Sequence, residues 1–227
     1  YLTIKKAYAK IQGFGDKKVT YDGNAQSILP TQIPEGATVV YTYSQKGEVI
    51  GSFDSLGNME GLTALGVCDA GVYSVEAVIA GSKNYYEFRA NATLEIKQAK
   101  VILITPSLEI TYGSEYITPS LTVESAVNSE KVIEDLAATY LCDFTPESPV
   151  AVGVYPIQIS FVPNPNYEVS VIEGSYTLSK AVLTAKLSIE SVAFGQAYPT
   201  PQISYQGFVE GDDETSLITA PSVVGMP

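Results

Sequence analysis

The stretch Ala70-Gly71-Val72-Tyr73-Ser74-Val75-Glu76-Ala77, followed by Asn84-Tyr85 and closed by Ile96-Lys97-Gln98-Ala99, decides how the chain is read. It comes round a second time as Val152-Gly153-Val154-Tyr155-Pro156-Ile157-Gln158-Ile159, then Asn166-Tyr167, then Leu178-Ser179-Lys180-Ala181. Gly to Asn is 13 residues in both copies, and Asn to the closing Ala is 15 in both. Self-similarity at a fixed spacing is the signature of a tandem array, in which each copy is one small structural unit.

Working outward, the aromatic-Gly pairs Tyr21-Asp22-Gly23, Tyr112-Gly113-Ser114 and Phe194-Gly195-Gln196 follow a closing Ala by 14, 13 and 13 residues. Thr118-Pro119-Ser120-Leu121 and Thr200-Pro201-Gln202-Ile203 stay in register at an offset of 82. Tyr1-Leu2-Thr3-Ile4-Lys5-Lys6-Ala7 matches the closing strands at 92–99 and 175–181. The register predicts a closing strand of a preceding repeat at 1–7, a first repeat at 8–99, a second at 100–181 and an incomplete third at 182–227. That third part lacks the Gly-x-Tyr strand and the closing strand, so it is expected to be the least stable, and its open sheet edge invites completion by another chain. Because the first residue is Tyr1 rather than Met, the chain reads as a mature or excised fragment.

Within a copy the alternation is that of strands. Val72, Tyr73, Val75, Ala77 and Ile79 face a partner strand from Tyr86 to Ile96 across a Gly81-Ser82-Lys83-Asn84 turn. In the second copy, Val154 to Phe161 faces Tyr167 to Leu178 across Pro163-Asn164-Pro165-Asn166, where the prolines interrupt the ladder. A further strand is expected at Thr38 to Tyr43, matched by Thr139 to Phe144. Ser129 to Ala137 reads instead as a short helix, capped by Ser129 and apolar at Val132, Ile133 and Leu136; Gly211 to Leu217 holds the same register. Gln45 to Leu62, an insertion in the first copy, reads as a Gly-rich surface loop. The expected fold is predominantly β and antiparallel: tandem small domains, either β-sandwich or β-grasp-like, with room for one short helix per repeat. Closing and opening strands follow one another across about three residues without Gly or Pro, which favours a rod.

Composition narrows the function. Thirteen Lys and Arg against 25 Asp and Glu give a net charge of -12 with no basic run. That field repels nucleic acid and anionic membranes. No apolar run approaches the roughly 20 residues of a spanning helix. The chain has no His, which removes the usual general base and the commonest metal ligand. Cys68 and Cys142 occupy different positions in their copies and are expected to be unpaired and largely buried, rather than reactive or zinc-binding.

Other candidate residues read most simply as structure. Tyr21-Asp22-Gly23 is read as a turn requiring Gly rather than a contact loop, Tyr73 and Tyr155 as core tyrosines with satisfied hydroxyls, and Asn84 and Asn166 as turn formers that bond neighbouring backbone. The acidic run Glu210 to Glu214 has oxygen ligands for calcium but not their alternate spacing, and is read as a solvated helix start. Sixteen tyrosines could offer sugar-stacking surface, although strand packing accounts for them first. No carboxylate pair lies in a motif that suggests a glycosidase cleft. No catalytic, cofactor-binding or metal-ligating residue is assigned, and no cofactor is expected.

The order of closing "Leu/Ile-x-Lys-Ala", aromatic-Gly, "Gly-x-Tyr-x-Val/Ile" and "Asn-Tyr" resembles the MBG family of bacterial surface repeats, found in tandem in large cell-wall and mucus-binding-type adhesins. The chain departs from it at Phe194, where a Tyr is usual. The resemblance implies a secreted array on the bacterial cell surface and a non-catalytic stalk role. The alternative is a direct adhesive module in which exposed tyrosines and the Gln45 to Leu62 segment contact host glycan, mucin or matrix protein. Neighbouring repeats of the same chain are the other expected partners.

Overall fold

The computed structural model describes residues 3, 5–145 and 151–224. Its strands are β1 (Ala7–Tyr8), β2 (Lys17–Thr20), β3 (Val39–Gln45), β4 (Glu48–Asp54), β5 (Met59–Glu60), β6 (Gly71–Ile79), β7 (Tyr85–Tyr86), β8 (Phe88–Lys97), β9 (Ala99–Ile104), β10 (Leu108–Thr111) and β11 (Thr122–Ser125). The helix α1 (Ser129–Leu136) follows, then β12 (Thr139–Cys142), β13 (Gly153–Ser160), β14 (Tyr167–Ile172), β15 (Gly174–Ser179), β16 (Thr184–Ser188), β17 (Gln202–Gln206) and a 3-10 turn at Glu214–Ser216. Strand makes up 44% and helix 5%, so the chain is a β protein with a single described helix. Of the expected closing strand at 1–7, Tyr1, Leu2 and Ile4 lie outside the described residues, and strand begins at Ala7.

Contacts divide the chain into two compact units, residues 1–103, 122–139 and 160–172 in one and 104–121, 140–159 and 173–227 in the other. The first is built on a six-stranded sheet of order β2-β8-β6-β3-β4-β5. Period-two alternation explains it: Tyr73, Val75, Ala77 and Ile79 of β6 are buried beside Leu94 and Ile96 of β8 and Val39, Tyr41 and Tyr43 of β3, while the intervening residues face out. The sheet is antiparallel, as expected, except that β2 runs parallel to β8 from Lys17↔Leu94 to Thr20↔Lys97. A parallel neighbour needs a long crossover, and here β3 to β6 supply it. The unit also holds the parallel pair β1-β7 and the three-stranded sheet β11-β9-β14.

The Gln45 to Leu62 segment is not a loop. It continues β3 through a Lys46-Gly47 turn, both residues at positive φ, into β4, which pairs with β3 from Val40↔Asp54 to Gln45↔Glu48 and buries Phe53. Two positive φ values in a two-residue connection match the twist of the flanking strands. The glycines taken as loop composition thus include the one that makes the hairpin.

The helix forms where expected, with one correction: Asn128 rather than Ser129 caps it, its side chain accepting from Lys131 N at 3.1 Å. Val132 and Leu136 are buried on its inner face. It ends at Ala137, which adopts a left-handed conformation at φ 45°.

The second unit contains the four-stranded sheet β10-β15-β13-β12. Strand β10 is parallel to β15 and β13 antiparallel to it, so the order β2-β8-β6-β3 is repeated strand for strand. Its core gathers Phe144, Ile157, Tyr176 and Leu178, with Tyr116 stacked on Tyr176. The simple hairpin expected from Val154 to Leu178 is also corrected: β13 pairs with β15, while β14 joins the β11-β9 sheet of the first unit. From β16 on, the described residues form only the antiparallel pair β16-β17 and the 3-10 turn, and all five residues of β16 are exposed.

Candidate functional site

The two sequence copies meet around Asn166, and every residue of the meeting point belongs to the first compact unit. Strand β8 ends at Lys97 and β9 starts at Ala99, leaving Gln98 alone between them. The Gln98 amide donates to the carbonyls of Pro165 and Tyr167 at 2.8 and 3.3 Å. Ala99 N donates to Asn166 O at 2.9 Å.

Asn166 itself is buried and bonds outside its own turn. Its Oδ1 accepts from Ala70 N at 2.7 Å and its Nδ2 donates to Asp69 Oδ1 at 2.9 Å. The reading of Asn166 as a former of its own turn is therefore corrected; that work falls to Asn164, whose Oδ1 accepts from Asn166 N at 2.9 Å. At the first copy Ser82 does the same, its hydroxyl accepting from Asn84 N and Tyr85 N at 3.2 and 3.1 Å.

The Gly-x-Tyr strand prepares the receiving side. Tyr73 is buried, as expected, and its hydroxyl donates to Asp69 O at 2.7 Å, fixing the backbone just ahead of Gly71. That bond presents the Asp69 carboxylate and the Ala70 amide together. Tyr155 repeats the contact with Ala151 O, four residues back, from a half-buried position.

Next to Asn166, Tyr167 is buried with its ring 5.3 Å from Tyr21 at 88°. Edge-to-face geometry of this kind is favourable beyond the area it buries. The Tyr167 hydroxyl donates to Asp135 Oδ2 at 2.6 Å, and Lys131 Nζ pairs with the same carboxylate at 3.1 Å. Burial, and then the bond to Asp135, push the Tyr167 hydroxyl far above the usual tyrosine range. Tyr167 therefore remains a donor at any physiological pH.

The Tyr21-Asp22-Gly23 turn has both a conformational and a contact role. Gly23, Gly113 and Gly195 sit at φ 81°, 85° and 85°, so the turn reading holds for all three. Asp22 closes the first turn by accepting from Asn24 N at 2.9 Å. Tyr21, however, is only 5% exposed because it meets Tyr167. This contact escaped the sequence reading, and the only signal for it was the recurrence of an aromatic at that position.

Other candidates are placed plainly. Both cysteines are free, as expected, but half-buried rather than largely buried, and Cys142 packs against the margin of the second core. The Asp213 carboxylate caps the 3-10 turn, accepting from Thr215 N at 2.8 Å and Thr215 Oγ1 at 2.6 Å. Among the described residues, no group of three His, Cys, Asp or Glu is placed to hold a metal ion. A cleft of about 980 Å³ beside the meeting point is walled by strand ends, with Thr20, Glu95, Lys97, Lys100 and Glu168 among its lining residues. Glu95 there is paired to Lys18 at 2.6 Å. Among the described residues no helix is long and apolar enough to cross a membrane.

A repeated sheet order with a side-chain joint between copies defines a β-rich repeat module. Residues 12–100 match the model of the MBG domain. Among solved structures, the chain is similar to the fibronectin(III)-like modules of Clostridium thermocellum CbhA, at 13% identity and a TM-score of 0.24, over 76% of this chain and 94% of that one. No curated protein matches the chain.

Proposed function

We propose that the chain is a non-catalytic stalk region of a secreted, bacterial cell-surface, adhesin-like protein, organised as a closing strand of a preceding repeat at 1–7, repeats at 8–99 and 100–181, and an incomplete repeat at 182–227. Its role is to hold a binding tip away from the cell, and its acidic surface keeps the stalk solvated. The observation that carries this reading is the joint. A spacer must limit bending between successive repeats, and the single residue Gln98 between β8 and β9, with the buried Asn166 bonded to Asp69 and Ala70, supports that reading.

A second reading, direct adhesion, rests on the β4-β5 hairpin. Among the described residues the second copy has no equivalent of it, and it exposes Val49, Ile50, Leu56 and Met59. A host glycan, mucin or matrix protein would engage this apolar edge or the exposed tyrosines. Titrating the full chain against mucins, glycans and matrix proteins, with and without calcium, separates the two. Absence of saturable binding is the stalk outcome. Saturable binding that disappears in the Val49→Ser, Leu56→Ser, Met59→Ser triple variant would replace it with the adhesive one. Surface substitutions are needed because deleting the hairpin would also remove the buried Phe53.

A further inference from the structure

The joint at Asn166 has a second half-copy in the molecule. Ala7 N donates to Asn84 O at 2.8 Å, as Ala99 N does to Asn166 O at 2.9 Å. Ser82 shapes the turn before Asn84 as Asn164 does before Asn166. The same backbone platform is thus built twice, but its surroundings differ. Around Asn166 and Tyr167 it is covered by Tyr21, Asp69 and Ala70. Around Asn84 and Tyr85 it is open: Asn84 is exposed and Tyr85 half-buried, with Tyr86 45% exposed and stacked on Tyr8, itself 78% exposed.

The covering side has an open duplicate too. Tyr112, which stands in the second copy where Tyr21 stands in the first, is 40% exposed against 5% for Tyr21. Neither half is buried by its own copy, and burial appears only where a trailing end meets a leading one.

We infer that the face formed by Ala7, Asn84 and Tyr85 is a docking site for the trailing end of another MBG-type repeat joined ahead of Ala7 in the same polypeptide. The partner's chemistry is that of the trailing end already present here: an aromatic-Gly turn beside an Asp-Ala-Gly strand start. The Asn84 amide is to span a carboxylate and a backbone N–H as Asn166 does, and the Tyr85 ring is to meet the partner's turn aromatic edge-on. Lys83, where the second copy has Pro165, adds a cation facing the acidic trailing end, which carries Asp22 and Asp69. No helix follows β2 in the first copy, so an acceptor equivalent to Asp135 is absent among the described residues and this joint is the weaker of the two. The inference rests on the array reading proposed above.

The test is a chain in which residues 1–98 are placed ahead of residues 7–227, so that a real trailing end precedes the second Asn84. Urea unfolding of this extended chain is compared with that of the original, and circular dichroism checks that each variant folds. Asn84→Ala in the downstream copy is expected to lower the midpoint of the extended chain and to leave that of the original chain unchanged. Asn84→Asp, which sets a carboxylate against Asp69, is expected to lower it more at pH 7 than at pH 4. If both substitutions leave the extended chain unchanged while Asn166→Ala destabilises the original, the docking site is refuted and the joint stands. If Asn166→Ala is silent in the original chain, the joint and the array reading fall together.

Discussion

Tyr167 meets Tyr21 edge-on, 5.3 Å between ring centroids, across the line where one sequence copy gives way to the next. The two rings lie far apart in the chain and yet are both buried. Tyr21→Ala removes a buried aromatic and should cost about 3 kcal/mol in urea unfolding. Tyr167→Phe keeps the ring but loses the bond to Asp135, for about 1.5–3 kcal/mol.

Acid should act on the same cluster through Asp135. Burial works against its ionisation, but the Tyr167 hydroxyl and Lys131 outweigh that and hold the carboxyl below the usual range. A carboxyl with a lowered folded pKa contributes stability above its unfolded value of about 3.9, and the contribution is lost as pH falls through the folded value. The urea midpoint should therefore fall below about pH 4, and Asp135→Asn should flatten that fall.

At the other end of the pH scale Tyr43 acts alongside Tyr167. Burial pushes the Tyr43 hydroxyl up to about 12, even though Ile28 N donates to it at 3.2 Å. Here the folded pKa is raised, so the contribution is complete below the unfolded value of about 10 and is lost as pH rises towards about 12. Alkaline unfolding followed by tyrosinate absorbance should show this loss. Tyr43→Phe should reduce it while costing about 1 kcal/mol at neutral pH.

Gly23 and Gly195 share a backbone conformation but not surroundings. A Cβ at Gly23 would lie 3.1 Å from Lys131 Cε, and one at Gly195 would meet nothing within 4 Å. Alanine at Gly195 should cost only the left-handed backbone term, about 1–2 kcal/mol, within whatever part of the chain unfolds with it. Alanine at Gly23 should cost more, because the Lys131 side chain must also shift.

Amide exchange should be fastest between residues 182 and 224. Among the described residues the buried hydrophobic core runs no further than Leu178, and a lone two-stranded ladder is marginal in water. Protection in β16 comparable to that in β6 would overturn this expectation.

The sequence is informative about strands and poor about what joins them. Strands β6 and β13 show themselves through a period of two that local packing enforces, and α1 through its helical spacing. The role of Asn166 is invisible for a physical reason. Its partners lie 96 and 97 residues away, and Pro163-Asn164-Pro165-Asn166 carries enough turn chemistry to explain itself locally. The β3-β4 hairpin was hidden similarly, because Gly47 makes a tight turn with the same composition a loop would have. Tyr73 reads as a core residue from its strand position, yet its hydroxyl bond to Asp69, which prepares the seat of Asn166, depends on geometry that no spacing records.

The parallel edge of each sheet has a consequence for force. Strand β2 lies early in its sheet and β8 closes it, and the two run in the same direction, as do β10 and β15. Tension that pulls an early and a late strand apart along their length shears such a ladder, loading its hydrogen bonds together rather than unzipping them one by one. Load entering through Ala99 passes into β8 across Gln98 alone, so little slack chain is available to absorb it before the ladder bears the strain.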